Sequence, residues 1–212
     1  MSKLEGLIAY FIKKIPYKIT RTELVKFVYW FEYLRVQTYG QQLTEAKFIR
    51  YNYGPYSHEI VSTAEQMADV GAIVIEPHIC CNGKPSYLHS VGNMNLLNRY
   101  TLDNDEDRLI ADTTINDLSG LSYNSLIAKV YSTPPMATIL FDEEMGVCHD
   151  KEELNMKECD HCRKFSREKI EAARQRLDKS SRGSDEEYYA YLLEEKSAYE
   201  TLRKRADRCI LK

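Results

Sequence analysis

The densest group of chemically capable side chains in this sequence is Cys148-His149 followed by Cys159-Asp160-His161-Cys162. Cys159 and Cys162 have the Cys-x-x-Cys spacing of a zinc knuckle, and Cys148 lies within reach upstream. Cys148, Cys159 and Cys162 with His149 or His161 would supply four thiolate and imidazole ligands for a structural Zn2+. The pattern is incomplete, because one pair is adjacent and standard sites show two spaced pairs. Reduced surface thiols are the plain alternative. The segment is too polar to hold itself together by burial, and a metal would compensate for that. No other cofactor is suggested.

Other groups carry less. Cys80-Cys81 stands near His78 and His89 in a region that reads as a hairpin, and the two histidines have the spacing to meet across its strands. Nothing nearby supplies an orienting third group or an oxyanion site. Glu59, beside His58, suits the positive end of a helix. Asp103, Asp105, Glu106 and Asp107 lack the glycine and distal glutamate of a calcium loop, and read as a charged helix start. No phosphate-cradling glycine loop or nucleophile elbow is present. The expectation is a protein that is not an enzyme.

The elements that must position these residues are mostly helical. An amphipathic helix covers about 4–14, and Pro16 separates it from the next. Thr20 and Glu23 form a capping box. Leu24, Phe27, Val28, Phe31 and Leu34 then recur at helical spacing up to Gly40. Tyr29, Trp30 and Tyr33 exceed what one core stripe needs, so they are candidates for a partner-facing patch as well as for the core rim. Phe48 to Tyr53 reads as a strand broken by Gly54-Pro55. Ser57 starts a third helix that stops at Gly71. Strands at 72–81 and 86–91 flank Asn82-Gly83, a hairpin signal. Asp103 and Glu106 cap a helix to Leu118, and Ser122 caps another to Tyr131, ended by Thr133-Pro134-Pro135. Residues 142–165 read as a linker or a small separate module, and two helices at about 166–180 and 185–208 close the chain. The fold class expected is α+β, predominantly α-helical: a helical domain with a small β-hairpin at 1–141, then a helical extension at 142–212.

Composition bounds the partners. The formal net charge is only -3, against a general nucleic-acid binder. Charge is zoned: residues 1–60 carry nine Lys/Arg against five Asp/Glu, and residues 61–150 carry four against thirteen. The acidic middle suits a basic partner, and solvated surface accounts for it equally well. Six Cys without an export signal point to a reducing, cytoplasmic setting, and no segment is apolar enough to cross a membrane. Three helices before a hairpin have the order of a winged helix. The third, however, contains no Lys or Arg, which argues against a DNA-reading role.

The stretch from Leu24 to Gly71 resembles the SocA-like (Panacea) antitoxin domain. The resemblance rests on Leu24, Lys26 and Tyr29 in one helix, then Gly40 and Leu43. Tyr51, Tyr53, Gly54 and Pro55 follow, and Ser57, Ile60 and Gly71 complete it. Tyr131-Ser132-Thr133-Pro134-Pro135-Met136 resembles the segment that closes the domain, and together these cover residues 1–141. Tyr56 stands where the family pattern has a small aliphatic residue, and the tail beyond 142 lies outside the domain. The resemblance implies a protein that neutralises a toxin encoded beside it, usually by direct complex formation. Some members act instead as adaptors that hand the toxin to a protease, which would add a protease or chaperone system as partner. The contact surface expected is Tyr29, Trp30, Tyr33, Tyr51 and Tyr53 with the acidic Asp105 and Asp107. The alternative is a DNA-binding or adaptor-type regulator with a structural zinc site.

Overall fold

The computed structural model describes residues 2–79, 83 and 85–159. The chain divides into two compact units, 1–162 and 163–212. The two helices expected at 166–180 and 185–208 lie outside the described residues.

The organising element is helix α2, Arg21–Tyr39, which begins at the Thr20/Glu23 capping box and ends at Gly40 in the left-handed region (φ 73°). Its side chains are buried nearly all round: Leu24, Val25, Phe27, Val28, Trp30, Phe31 and Val36 all lie in the core. Such a helix is enclosed by its neighbours rather than laid on a surface. Helix α1, Lys3–Lys14, packs Phe11 edge-on against Phe27 and Phe31, with ring centroids 5.6 and 6.5 Å apart. Full burial of each such ring stabilises the fold by about 2–3 kcal/mol.

Strand β1 (Ile19–Thr20) pairs antiparallel with β5 (Pro85–Val91), and β5 pairs with β4 (Ile73–Ile79), giving the order β1-β5-β4. The hairpin was legible from Asn82-Gly83; the two-residue β1 was not. Between α2 and helix α3 (His58–Asp69) a second hairpin is inserted, β2 (Ile49–Tyr51) with β3 (Gly54–Tyr56). Gly54-Pro55, expected to break a strand, instead forms β3, with Pro55 opposite Arg50. Proline is tolerated there because this strand has a partner on one side only.

Short helix α4 (Met94–Leu97) leads to α5, Asp105–Leu118. The N-cap of α5 is Asn104, whose side chain accepts from Glu106 N; Asp103 accepts from Thr101 Oγ1 instead. Helix α6, Tyr123–Tyr131, is capped by Ser122 as expected. Thr133-Pro134-Pro135 both ends α6 and starts α7, Pro134–Glu144. Proline at the first helical positions sacrifices no hydrogen bond and is preset in φ. The boundary expected at 141 thus falls inside a helix. Beyond it, Lys151 N and Leu154 N donate to Arg50 O and Phe48 O, and Leu154 and Met156 enter the same core.

Three buried polar residues on α2, spaced three apart, pin separate loops to it. Lys26 Nζ donates to Pro55 O at 2.6 Å. Tyr29 Oη and Thr133 Oγ1 are 2.7 Å apart. Glu32 accepts from Leu43 N, Thr44 N and Thr44 Oγ1 at 2.7, 2.9 and 2.5 Å. Buried polar groups cost stability unless bonded, so each bond fixes where its loop must sit.

Candidate functional site

A cavity of about 360 Å³ opens where the first turns of α2 meet the β2–β3 hairpin. Its lining is Arg21, Thr22, Val25 and Lys26 from α2, with Tyr51, Tyr53, Gly54 and Tyr56 from the hairpin. The size falls within the roughly 300–1,000 Å³ of small-ligand sites. Gly54 makes the wall possible: its φ is +87°, and a Cβ there would meet Tyr131 Cε2 at 2.9 Å. The hairpin can therefore lie close to α6 only with glycine at this position.

Lys26 is 3% exposed. Among the described residues no carboxylate lies within ion-pair distance of it. Burial, with Arg50 nearby, pushes its ammonium down from 10.5 to about 7. Arg50 is itself a cation, and its guanidinium forks onto both oxygens of Glu143 at 3.0 Å each, so that carboxylate is engaged by Arg50 and not by Lys26. Arg21 lies over the Tyr87 ring at 4.1 Å, and its nearest carboxylate is Glu65, at 3.9 Å. Its Nε is buried without a hydrogen-bond partner. Tyr51 and Tyr56 rings lie 5.2 Å apart, and burial raises the Tyr56 phenol. Tyr51 and Tyr53 are exposed at the rim. The cavity thus combines two under-neutralised cations with tyrosine rings.

The candidate partner-contacting residues separate into two sets. Tyr29 is fully buried, its ring edge-on to Phe48 at 5.1 Å. Trp30 is 7% exposed, and its Nε1 donates to Asp117 Oδ2 at 2.9 Å. It stacks obliquely on Tyr33, whose hydroxyl accepts from Gln37. Asp107 is 4% exposed and accepts from Arg35 Nε at 2.8 Å. Tyr29, Trp30 and Asp107 therefore serve the seams of α2 inside the fold. Tyr51, Tyr53 and Asp105 face solvent, with Asp105 bonded to Arg108 on its own helix. The remaining motif residues do structural work: Leu24 and Leu43 are core, and Gly40 is the left-handed cap.

Of the candidate zinc ligands, Cys148 is exposed. His149 Nδ1 lies 2.5 Å from Glu152 Oε2, and its Nε2 lies 3.4 Å from Asp142 Oδ2. The Glu152 bond raises the imidazole pKa, favouring its protonated form. Cys162 and the side chain of Cys159 lie outside the described residues. Among the described residues no cluster of three or more His, Cys, Asp and Glu is placed to hold a metal. The histidines expected to meet across the hairpin do not: the register sets His78 opposite Ser86 and His89 opposite Ile75. His89 is buried, with Nδ1 3.2 Å from Ile19 O, and burial lowers its pKa. Cys80 and Cys81 lie outside the described residues.

Sequence reasoning missed the cavity, although it named Lys26, Tyr51, Tyr53 and Gly54 separately. The family pattern was the only signal that grouped them. That pattern is matched directly: the model of the antitoxin SocA-like family, Panacea domain, matches residues 24–135, more than half of the chain. The protein belongs to this family. The matched span contains every cavity residue except Arg21 and Thr22. No curated protein and no solved structure matches the chain. Among the described residues, no helix is long and apolar enough to cross a membrane.

Proposed function

We propose that this protein is an antitoxin that binds a cognate protein toxin and neutralises it by direct complex formation in the cytoplasm. Membership of the SocA-like antitoxin family across residues 24–135 is the observation that carries the reading. The structure supports a binding protein in its distribution of exposed groups. Tyr51 and Tyr53 present aromatic rings on a hairpin whose position is fixed by Lys26, Gly54 and Arg50. Rigid aromatic side chains give large contact area at low entropic cost. At the start of α5, Asp103, Asp105 and Glu106 are exposed, with Leu109 69% exposed beside them. The mechanism is occlusion, in which the tyrosine rim and this acidic helix start cover a basic surface of the toxin.

The complex tests this through charge and ring deletion. Asp105→Lys and Tyr53→Ala each lower affinity for the toxin by about tenfold or more while leaving folding intact. Asp107→Lys is unsuitable for the purpose, because it would bury a second cation against the half-buried Arg35. Affinity unchanged in both variants contradicts occlusion by these surfaces.

A DNA-binding regulator is the second reading, and the winged-helix order with β1 on the β4–β5 hairpin favours it. The outward face of α3 opposes it, offering Glu59, Glu65 and Asp69 to solvent with no Lys or Arg. Salt-dependent binding to duplex DNA supports this second reading, and its absence rejects it.

A further inference from the structure

We propose that the cavity between α2 and the β2–β3 hairpin is a binding site for one oxyanion, a carboxylate or phosphate carried on an aromatic or apolar stem. The proposal is independent of whether the partner is a toxin. Lys26 is the first ground. An amine 3% exposed, with one backbone carbonyl as acceptor and no carboxylate in range among the described residues, leaves two donors and its charge uncompensated whenever it is protonated. Burying such a group without a counter-charge is costly. An arriving anion supplies the counter-charge and holds the group protonated.

Arg21 is the second ground. Its guanidinium lies over the Tyr87 ring, its Nε is buried and unbonded, and it lines the same cavity. Glu65 is too distant, at 3.9 Å, to satisfy it by a hydrogen bond. The two cations stand five residues apart on α2, and Arg21, its first residue, lies at the positive end of the helix. The third ground is the wall. Tyr51, Tyr53 and Tyr56 line it with aromatic side chains suited to an apolar or aromatic stem, and Thr22 lines it as well. About 360 Å³ accommodates a six-membered ring plus its anionic group, and excludes a folded peptide segment.

Two sources share this chemistry: a carboxylate on a peptide-like stem, and a phosphate ester. The probes are N-acetylphenylalanine for the first and phenyl phosphate for the second, with benzyl alcohol as the uncharged control. Each is titrated into the full chain and followed by amide chemical shifts. The expected result is saturable shifts for at least one anion, at residues 21–26 and 51–56, and about tenfold weaker binding of benzyl alcohol. The tighter anion assigns the source. Lys26→Met and Arg21→Met each weaken the anion by about tenfold or more, and Lys47→Met, a surface lysine paired with Glu153, leaves it unchanged. Arg21→Met keeps the test open should Lys26→Met fail to fold, since the Arg21 side chain is 34% exposed and outside the core. No saturable shift for either anion, or equal binding by benzyl alcohol or by the Arg21→Met variant, overturns the proposal.

Discussion

Replacing Lys26 by methionine should make the protein more stable at neutral pH. Lys26 falls from 10.5 in an exposed setting to about 7 in the fold. At about 1.4 kcal/mol per tenfold change, holding this group in the folded state costs about 5 kcal/mol at acidic pH and about 4 kcal/mol at pH 7. Methionine keeps the length of the stem and removes that cost. It also leaves the Pro55 carbonyl without its donor, a loss of about 1–3 kcal/mol. The net expectation is a gain of about 2 kcal/mol at pH 7.

The pH dependence separates this from a gain in apolar packing alone, which would not change with pH. Between about pH 7 and 10.5 the unfolded chain binds a proton at Lys26 that the folded chain does not. Wild-type stability therefore rises with pH in this window as far as Lys26 is concerned, and the variant lacks that rise. Groups near Lys26 in both proteins are Arg21 on its own helix, Arg50 on β2, and Tyr51, Tyr53 and Tyr56 on the hairpin. Their contributions largely cancel in the difference. The advantage of the variant should shrink to nothing or reverse by about pH 10. Urea unfolding followed by Trp30, the single tryptophan and a core residue, reads both proteins at each pH. A Lys26→Met protein less stable than wild type at every pH would refute the reasoning and make Lys26 a structural residue.

Gly54→Ala should cost about 1–3 kcal/mol, from positive φ and the Tyr131 clash together, and thermal unfolding reads it directly. Asp107→Ala strands the buried Arg35 guanidinium and should destabilise by about 3 kcal/mol, whereas Asp105→Ala on the exposed face should change stability by less than about 0.5 kcal/mol. A structural zinc held by Cys148, Cys159, Cys162 and His149 predicts close to one zinc per chain in purified protein, with Cys148 unreactive until a chelator is added. Metal-free protein with Cys148 freely alkylated removes that site.

Much of this fold was legible because local signals agreed with the tertiary result. The Thr20/Glu23 box, the helical period through Leu34 and the left-handed Gly40 all specify α2 before any packing is known. What escaped has long-range causes. Nothing local says that residues 151–154 will pair with Phe48 and Arg50, or that two residues at 19–20 will join a hairpin seventy positions later. Which acid of the Asp103–Asp107 group turns inward depends on where Arg35 arrives from α2. Tyr29 and Trp30 read as surplus aromatics because their hydrogen-bond partners, Thr133 and Asp117, are distant in sequence. Lys26 was visible as a motif residue, but lysine is ordinarily exposed, so its burial could not be read from its type.

Neutralisation of a toxin by this protein is read out by growth. The protein is co-expressed with the product of the gene beside it in its native locus, and growth is scored against that neighbour alone. The expected outcome is arrest by the neighbour, relief by this protein, and recovery of the two as a complex. A neighbour that arrests growth without relief, or that is harmless alone, would contradict the antitoxin reading and leave the anion site to be judged on its own titration.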